Sequence, residues 1–407
     1  MNKTANKGAG ERAAVKNGSF YRRLISFITK YAMVIALVVV FALFAILTDG
    51  RLLNASNMSN LMLQNGYVLV MACGMLLCIL TGGNIDLSVG SVICMVGGIA
   101  AVLISNVGMD PYLTIVISLV IGLLVGVWQG YWIGYVRIPP FITTLGGMFI
   151  FRGIGRIILD NRTVSIQDSR FLDIFTAYIK IPGLDDGEVI WSALIVGVVV
   201  AALVVFNMLK TRRDRAKHGY RQNSFASDII RTVIIAALVI YYSYLLSQYR
   251  GISVMLIWVV AICLIYNFIT SKTAFGRYFY AVGGNEKATQ LYGINKNKIY
   301  FLGNANMGLL AGLSGLLVAA RVGSVNGNTG NSFEMDAIGA CFIGGASAYG
   351  GIGTVCGVVI GALLLGVITM GMSILGLGDS IQQVIRGAVL LVAVIFDVVT
   401  SRKAGTR

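Results

Sequence analysis

The stretch Thr81-Gly82-Gly83-Asn84-Ile85-Asp86-Leu87-Ser88-Val89-Gly90-Ser91 interrupts what would otherwise be nearly continuous apolar sequence. One apolar run leads into it over Leu61–Thr81, and a second leads out of it over Leu87–Ser105. Each run is near the ~20 residues that an α-helix needs to cross a bilayer. Irregular backbone at membrane depth is tolerated only where it is buried in protein or lines a wet cavity. The stretch therefore predicts two membrane spans joined by a buried or cavity-lining break.

The composition of the whole chain is typical of a polytopic all-α membrane protein. Of its 407 residues, 57% are hydrophobic and 12% are charged, and the mean hydropathy is +0.81. Soluble domains carry about 25% charged residues. Long uninterrupted apolar runs recur from Tyr31 to Thr400, whereas a β-barrel would need alternating segments of roughly ten residues. The sequence therefore predicts one transmembrane domain over residues 31–400.

About twelve apolar runs are predicted to be membrane spans. They are Tyr31–Thr48, Leu61–Thr81, Leu87–Ser105, Tyr112–Val136, Pro140–Leu159, Ile190–Leu209, Ile229–Ser247, Ile252–Thr270, Ile299–Ala320, Ala337–Ala348, Gly353–Leu375 and Ile381–Thr400. The tenth is short for a complete crossing, so a re-entrant segment is the alternative there.

The distribution of charge predicts the topology. Residues 1–30, 207–231, 271–298 and 401–407 contain 22 of the 32 lysines and arginines. Basic residues beside spans mark the cytoplasmic side. These segments are therefore predicted to be a cytoplasmic N-terminal segment, two inner loops and a cytoplasmic tail, and the acidic segment 160–189 an outer loop. The net charge of +15 then reflects topology, and no nucleic-acid partner is expected.

The order of the spans suggests an inverted five-helix repeat. Spans 1–5 start inside, whereas spans 8–12 start outside, which is the arrangement of inverted-topology repeats. Spans 6 and 7 would be a pair inserted between the halves. The segment Ile85–Ser91 can be aligned with Phe333–Gly339, since both begin with an apolar residue and an acid.

No catalytic or metal-binding pattern is evident. The six cysteines fall in apolar runs without metal or disulfide spacing. No Gly-Lys dipeptide occurs, so a phosphate-binding P-loop is absent. The single histidine, His218, lies in a basic loop, which argues against proton coupling. We expect no enzyme activity, cofactor or metal on this chain, and any ATP hydrolysis would belong to another chain.

Two polar segments are the candidate functional regions. Residues Gly276–Ile294 form a long basic island, predicted to be a glycine-bounded turn followed by a short helix. A docking surface for a soluble partner and a passive loop are both open interpretations. In the interrupted stretch, Asp86 is placed either to cap the following helix through its N–H groups or to line a pathway.

Three segments resemble permease subunits of bacterial monosaccharide ABC importers. They are Gly83–Ser91, Ile138–Gly146 and Gly276–Ala288, and the resemblance extends from about Leu52 to Val399. Asn84 is an extra residue relative to the usual family pattern. Three spans instead of one lie between the outer loop and the Gly283-Gly284-Asn285 loop, which is similar to the longer xylose or multiple-sugar permeases.

The resemblance implies a permease homodimer in the lipid of the bacterial inner membrane. Its partners would be a cytoplasmic ABC ATPase, which carries ATP and Mg, and an external sugar-binding protein. That protein would dock on outer segments such as Asn161–Glu188 and Arg321–Glu334, for which plain surface loops are the alternative. The cargo would be a pentose or hexose. A stand-alone ion-coupled secondary sugar carrier is the alternative function.

Two sets of residues are assigned on this basis. Coupling to the ATPase is expected to involve Gly276, Arg277, Gly283, Gly284, Asn285, Glu286, Ala288, Leu291 and Gly293. The translocation path or gate is expected to involve Gly82, Gly83, Asn84, Asp86, Ser88, Ser91, Asn326 and Asn328.

Overall fold

The computed structural model describes residues 31–185, 187, 189–219 and 225–403. The predicted cytoplasmic segment 1–30 lies outside the described residues, as does the end of the predicted tail, 404–407.

Helices make up most of the described chain, in agreement with the predicted all-α class. They are α1 (Tyr31–Leu47), α2 (Ala55–Leu80), α3 (Val89–Ser105), α4 (Pro111–Tyr131), α5 (Pro140–Ile158), α6 (Ser169–Thr176), α7 (Trp191–Lys217), α8 (Phe225–Ser247), α9 (Val254–Lys272), α10 (Ala274–Gly284), α11 (Glu286–Leu291), α12 (Lys296–Val322), α13 (Phe333–Ile343), α14 (Val355–Ile374) and α15 (Asp379–Lys403). A π-helical segment, Trp132–Val136, extends α4, and one 3₁₀ turn, Arg51–Leu53, precedes α2.

Eight of the described helices are long and apolar enough to cross a bilayer, namely α2, α4 with its π extension, α5, α7, α8, α9, α12 and α14. The apolar helices α1 and α3 are shorter. With 11 residues, α13 is about 16 Å long, roughly half of a hydrocarbon core. Helix α13, at the position of the predicted tenth span, is therefore too short to cross the bilayer by itself. The total of twelve spans stays a prediction.

Helix α2 is the centre of the bundle. In the most apolar 18-residue stretch of α2, 89% of the residues are buried. Helices α9, α12, α13 and α14 pack around it. In contrast, only 22% of the residues in the most apolar stretch of α7, and likewise of α8, are buried. These two helices pack mainly against each other at the periphery. These two helices correspond to the predicted inserted pair, although the inverted repeat itself stays a prediction.

Two short antiparallel ribbons and α6 cover one end of the bundle, called here the α6 end. Strand β1 (Val164–Ser165) pairs with β4 (Ser324–Val325), and β2 (Tyr178–Ile179) with β3 (Ile252–Ser253). The opposite end carries α10 and α11 and is called the α11 end. The two are separated by α12, whose 27 residues span about 40 Å.

Within the predicted outer loop 160–189, the described residues 160–185 fold around α6. Phe171 and Phe175 are fully buried, and the Trp258 indole donates a hydrogen bond to the Ile174 carbonyl (3.0 Å). Asp168 begins the helix by accepting bonds from the N–H groups of Arg170 and Phe171. A hydrogen bond from the Arg170 side chain lowers the pKa of Asp168 below its usual value. The acidic segment is thus a folded cap, which supplies a defined surface.

Glycines permit α4 and α12 to pack backbone against backbone. A Cβ on Gly126 would lie 2.5 Å from the Asn304 carbonyl oxygen, and one on Gly308 would lie 2.4 Å from the Gly122 oxygen. Small residues at helix contacts bring van der Waals surfaces together where lipid supplies no hydrophobic drive.

We expect Gly126→Ala to destabilise the protein by about 1–3 kcal/mol, because the added methyl group must push two backbones apart. Thermal unfolding of the detergent-purified protein measures the loss. Gly146→Ala in α5 is the matched control, since a Cβ there meets nothing within 4 Å. Equal melting temperatures for the two variants would contradict close packing at this seam.

Candidate functional site

The polar island consists of two helices. The start of the island was predicted to be a glycine-bounded turn, but it is part of the helix α10, which begins at Ala274. The Thr273 hydroxyl accepts a bond from the Gly276 N–H (3.0 Å) at the start of α10. The Asn285 side chain does the same for the Ala288 N–H (2.9 Å) at the start of α11. Propensity favoured a turn, but capping and tertiary packing favour a helix here.

Helix α10 is seated directly on the backbone of α2 and of the loop before α14. A Cβ on Gly283 would lie 1.8 Å from the Leu80 carbonyl oxygen and 2.6 Å from the Gly351 nitrogen. A Cβ on Gly276 would lie 2.1 Å from the Ile269 oxygen of α9. Of the four predicted coupling glycines, Gly276 and Gly283 are therefore points of close approach, which fix the island to the bundle.

Glu286 is tied to the chain's own basic residues. Its Oε1 lies 2.7 Å from Lys296 Nζ and 3.5 Å from an Arg137 guanidinium nitrogen. Arg137 has a left-handed backbone (φ 67°), and its guanidinium lies 5.2 Å from the centre of the Tyr300 ring. The carboxylate thus links α11 to α4 and α12, a positioning role within this chain.

The most exposed part of the island is apolar. Leu291 is 88% exposed and Tyr292 is 86% exposed, and Gly293 follows with a left-handed backbone (φ 81°). Of the other predicted coupling residues, Arg277 and Gly284 are exposed and Ala288 is half-buried. Two large side chains, Leu291 and Tyr292, are thus exposed side by side at the tip of this basic segment.

The interrupted stretch lies against a second irregular segment, residues 344–354. Gly82 and Gly83 both have positive φ values (118° and 76°), and a Cβ on Gly83 would lie 2.0 Å from the Ala348 oxygen. The Gly351 N–H donates to the Leu80 carbonyl (2.9 Å). Asn84 Nδ2 donates to the Thr81 hydroxyl (3.0 Å). The predicted path and coupling sets therefore meet at Leu80.

Asp86 organises the turn before α3. Its Oδ1 accepts bonds from the Ser88 N–H (2.8 Å) and hydroxyl (2.7 Å), and Gln129 Nε2 donates to that hydroxyl (2.6 Å). Asp86 thus holds the N-cap residue, Ser88, instead of capping the N–H groups of the first helical turn as predicted. Asp86, Ser88 and Ser91 are all buried.

The connection between α12 and α13 runs inward along α3. The Cys94 thiol lies 3.5 Å from the Asn326 carbonyl, and a Cβ on Gly90 would lie 2.2 Å from the Gly330 oxygen and 2.4 Å from Glu334 Oε2. The starts of the short helices α3 and α13 therefore meet inside the bundle. Residues 325–334 are not a plain surface loop.

Two arginines of α5 hold this connection. Arg152 donates to the carbonyl oxygens of Thr329 (2.5 Å) and Gly330 (3.3 Å). Arg156 donates to the Gly327 carbonyl and to Asn328 Oδ1, both at 3.3 Å. The other predicted asparagine, Asn326, accepts the Asn328 N–H through its side chain (2.9 Å). Asn326 and Asn328 are thus exposed residues on a loop that is clamped by α5.

A buried polar cluster accompanies the meeting of α3 and α13. Asp336 is 6% exposed, 3.5 Å from an Arg386 guanidinium nitrogen, and accepts a bond from the Tyr67 hydroxyl (3.3 Å). The Tyr67 ring stacks on Phe333 with centres 4.2 Å apart. The assigned site residues omit Asp336 and Arg386, although charge inside a membrane is itself a signal of function or pairing.

Among the described residues, no group of three or more His, Cys, Asp or Glu side chains could hold a metal ion. Hydroxyl, amide and carboxylate groups lie beside two helix breaks that are joined to an exposed apolar tip. Both residue assignments made from the sequence stay predictions.

A family of transport proteins matches this chain over residues 57–394. Its description is branched-chain amino acid transport system / permease component, and the match covers most of the protein. The chain therefore belongs to this family of membrane permeases, and the predicted membrane-transport class is confirmed.

The similar curated proteins transport sugars. The chain is 36% identical to the xylose transport system permease protein XylH of Haemophilus influenzae, over 92% of this chain and 97% of the relative. XylH of Escherichia coli is 35% identical over 92% and 93%. The ribose import permease protein RbsC of H. influenzae is 30% identical over 94% and 97%. No solved structure matches.

We expect Gly283→Ala to destabilise the protein by about 3 kcal/mol, because a methyl group 1.8 Å from the Leu80 oxygen must lift α10 from its seat. Protease protection of α10 and α11, together with thermal unfolding, measures the effect. The adjacent Gly284→Ala is the control, since a Cβ there meets nothing within 4 Å. A Gly283→Ala protein that unfolds at the native temperature and shows native protection of α10 and α11 would contradict this close packing.

Proposed function

We propose that this chain is the membrane-spanning subunit of an ATP-binding-cassette importer that brings a monosaccharide into the cytoplasm. The observation that carries the proposal is the alignment with XylH of H. influenzae, which covers 92% of this chain and 97% of that protein. A match over nearly the whole of both chains includes the helix breaks and the island as well as generic spans. Xylose is accordingly the first cargo to test, with ribose the second.

In this proposal the α11 end faces the cytoplasm of a bacterium, and a separate ATPase binds there. The basic residues near α10 and α11 support this orientation under the positive-inside rule. The ordered α6 end would face outward and receive a sugar-binding protein. Two copies of the chain in the inner membrane would enclose one pathway.

The contacts suggest how force would travel. An ATPase that pushes on Leu291 and Tyr292 would move α11, which Glu286 ties to Lys296 of α12. Movement of α10 would act on the Leu80 and Gly351 backbones through Gly283. Both helix breaks would then shift together, which opens or closes a path beside them. Coupling of this kind needs a contiguous packed connection between the two sites.

The experiment is reconstitution in liposomes with the candidate ATPase and sugar-binding protein from the same genome. We expect ATP-dependent accumulation of labelled xylose against its gradient, and none with the purified chain alone. Uphill transport by the chain alone under an ion gradient would contradict the proposal and establish the secondary-carrier alternative. If ATP-dependent transport is found for ribose but not for xylose, the proposed mechanism would stand and ribose would be the cargo.

We expect Leu291→Asp to lower sugar-stimulated ATP hydrolysis of the assembled complex at least about tenfold, because truncating a hot-spot residue costs about 2 kcal/mol or more of binding. The matched control is Val107→Asp, since Val107 is also exposed (61%) but lies beyond α3 at the α6 end. Full stimulation with Leu291→Asp, or equal losses with both variants, would exclude docking at the α11 tip.

A further inference from the structure

A groove between α7 and α8 at the α11 end is not used by the proposed transport mechanism. It encloses a cavity of about 350 Å³. Its floor is apolar and includes Val204, Met208 and Ile235. Its rim carries Arg212, Arg215, Asp228 and Arg231, and we call this cavity with its rim the α7–α8 groove. The combination of an apolar floor and a cationic rim suits an amphipathic anion.

The rim has a surplus of positive charge. Arg212 pairs with Asp228, and its guanidinium lies 4.9 Å from the centre of the Phe225 ring. Among the described residues that line the groove, Asp228 is the only acid. Arg215 and Arg231 form no salt bridge to any carboxylate in the described part of the chain. Arg215 and Arg231 therefore line the cavity without a salt bridge to any described carboxylate.

The groove lies at the level of lipid headgroups. Helix α7 begins at Trp191, and Arg212 follows it by about 21 residues, or about 32 Å. Helix α8 ends at Ser247, and Asp228 precedes that residue by about 29 Å. Both lengths match a hydrocarbon core of about 30 Å. When the start of α7 and the end of α8 lie at one membrane surface, the groove lies at the other.

Within the described part of the chain, α7 and α8 pack mainly against each other. Only 22% of the apolar window in each helix is buried, so α7 and α8 present most of their surface to acyl chains. A phospholipid beside the pair would place its chains along Val204 and Ile235 and its phosphate between Arg215 and Arg231. Guanidinium groups bind phosphate through paired charge-assisted hydrogen bonds.

We propose that the α7–α8 groove is a binding site for the phosphate headgroup of an anionic membrane phospholipid. Basic pockets between membrane helices on the cytoplasmic side bind such headgroups. The bound headgroup holds the ends of α7 and α8 together and anchors this peripheral pair in the bilayer. The proposal is independent of the identity of the transported sugar and of the docking role of Leu291.

The test is lipid binding to the purified full chain in detergent, measured by native mass spectrometry with dioleoyl-phosphatidylglycerol. Dioleoyl-phosphatidylethanolamine supplies the same acyl chains without net charge. We expect the native chain to retain the anionic lipid preferentially. The double variant Arg215→Gln/Arg231→Gln should bind it about 30-fold more weakly, since each cationic contact contributes a factor of about five.

The matched control is Lys210→Gln/Arg213→Gln, which removes the same charge from α7. Lys210 and Arg213 lie on another surface of α7, lined by residues of that helix alone. We expect this variant to bind as the native chain does. Equal losses from both double variants would overturn the proposal in favour of general surface charge, and so would unchanged binding in Arg215→Gln/Arg231→Gln.

Two further measurements address a double variant that fails to fold and a site that binds phosphate in general. If the double variant does not yield folded protein, Arg215→Gln alone should still lower phosphatidylglycerol binding about fivefold. Adding soluble glycerol phosphate distinguishes a lipid site from a general phosphate site. Competition at millimolar concentration would overturn the lipid assignment, whereas persistent lipid retention would support it.

Discussion

The structure depends on pairing backbone polar groups where two helices are broken inside the bundle. Away from water, an unpaired N–H or C=O group costs several kcal/mol. The Gly351 N–H meets the Leu80 carbonyl at 2.9 Å, which joins the two broken segments directly. This contact requires glycines, because a side chain at Gly283 or Gly350 would collide with backbone atoms. The interrupted stretch and helix α10 both pack around this backbone contact.

The sequence predicts the elements whose signals are local. The apolar runs that became α2, α12 and α14 are long, and length and hydropathy suffice to identify them. The Gly82-Gly83 break was also predictable, since two glycines before an acid cannot continue an apolar helix. Helix α10 was not predicted, because its glycines favour a turn by intrinsic propensity. Gly276 and Gly283 instead pack closely on α9 and α2, and the contact with Leu80 of α2 joins segments that are far apart in the chain.

The pairing of buried charged residues was even less predictable from the sequence. Asp336 and Arg386 stand 50 residues apart in sequence, yet they pair at 3.5 Å. A single sequence displays each charge but gives no information on its partner. The path of residues 325–334 along α3 was also hidden, because asparagine and glycine are typical of exposed loops. Arg152 on α5 supplies hydrogen bonds to Thr329 and Gly330, which hold this part of the segment against α3.

The central position of α2 has a consequence for biosynthesis. Its neighbours include α9, α12, α13 and α14, so most of its final surroundings are encoded after residue 253. When α2 leaves the ribosome, its polar residues Ser59 and Asn65, both buried in the finished protein, have none of these neighbours. This helix must therefore wait in lipid or beside an insertion factor until late in translation. Its assembly is completed only when α14 has been made.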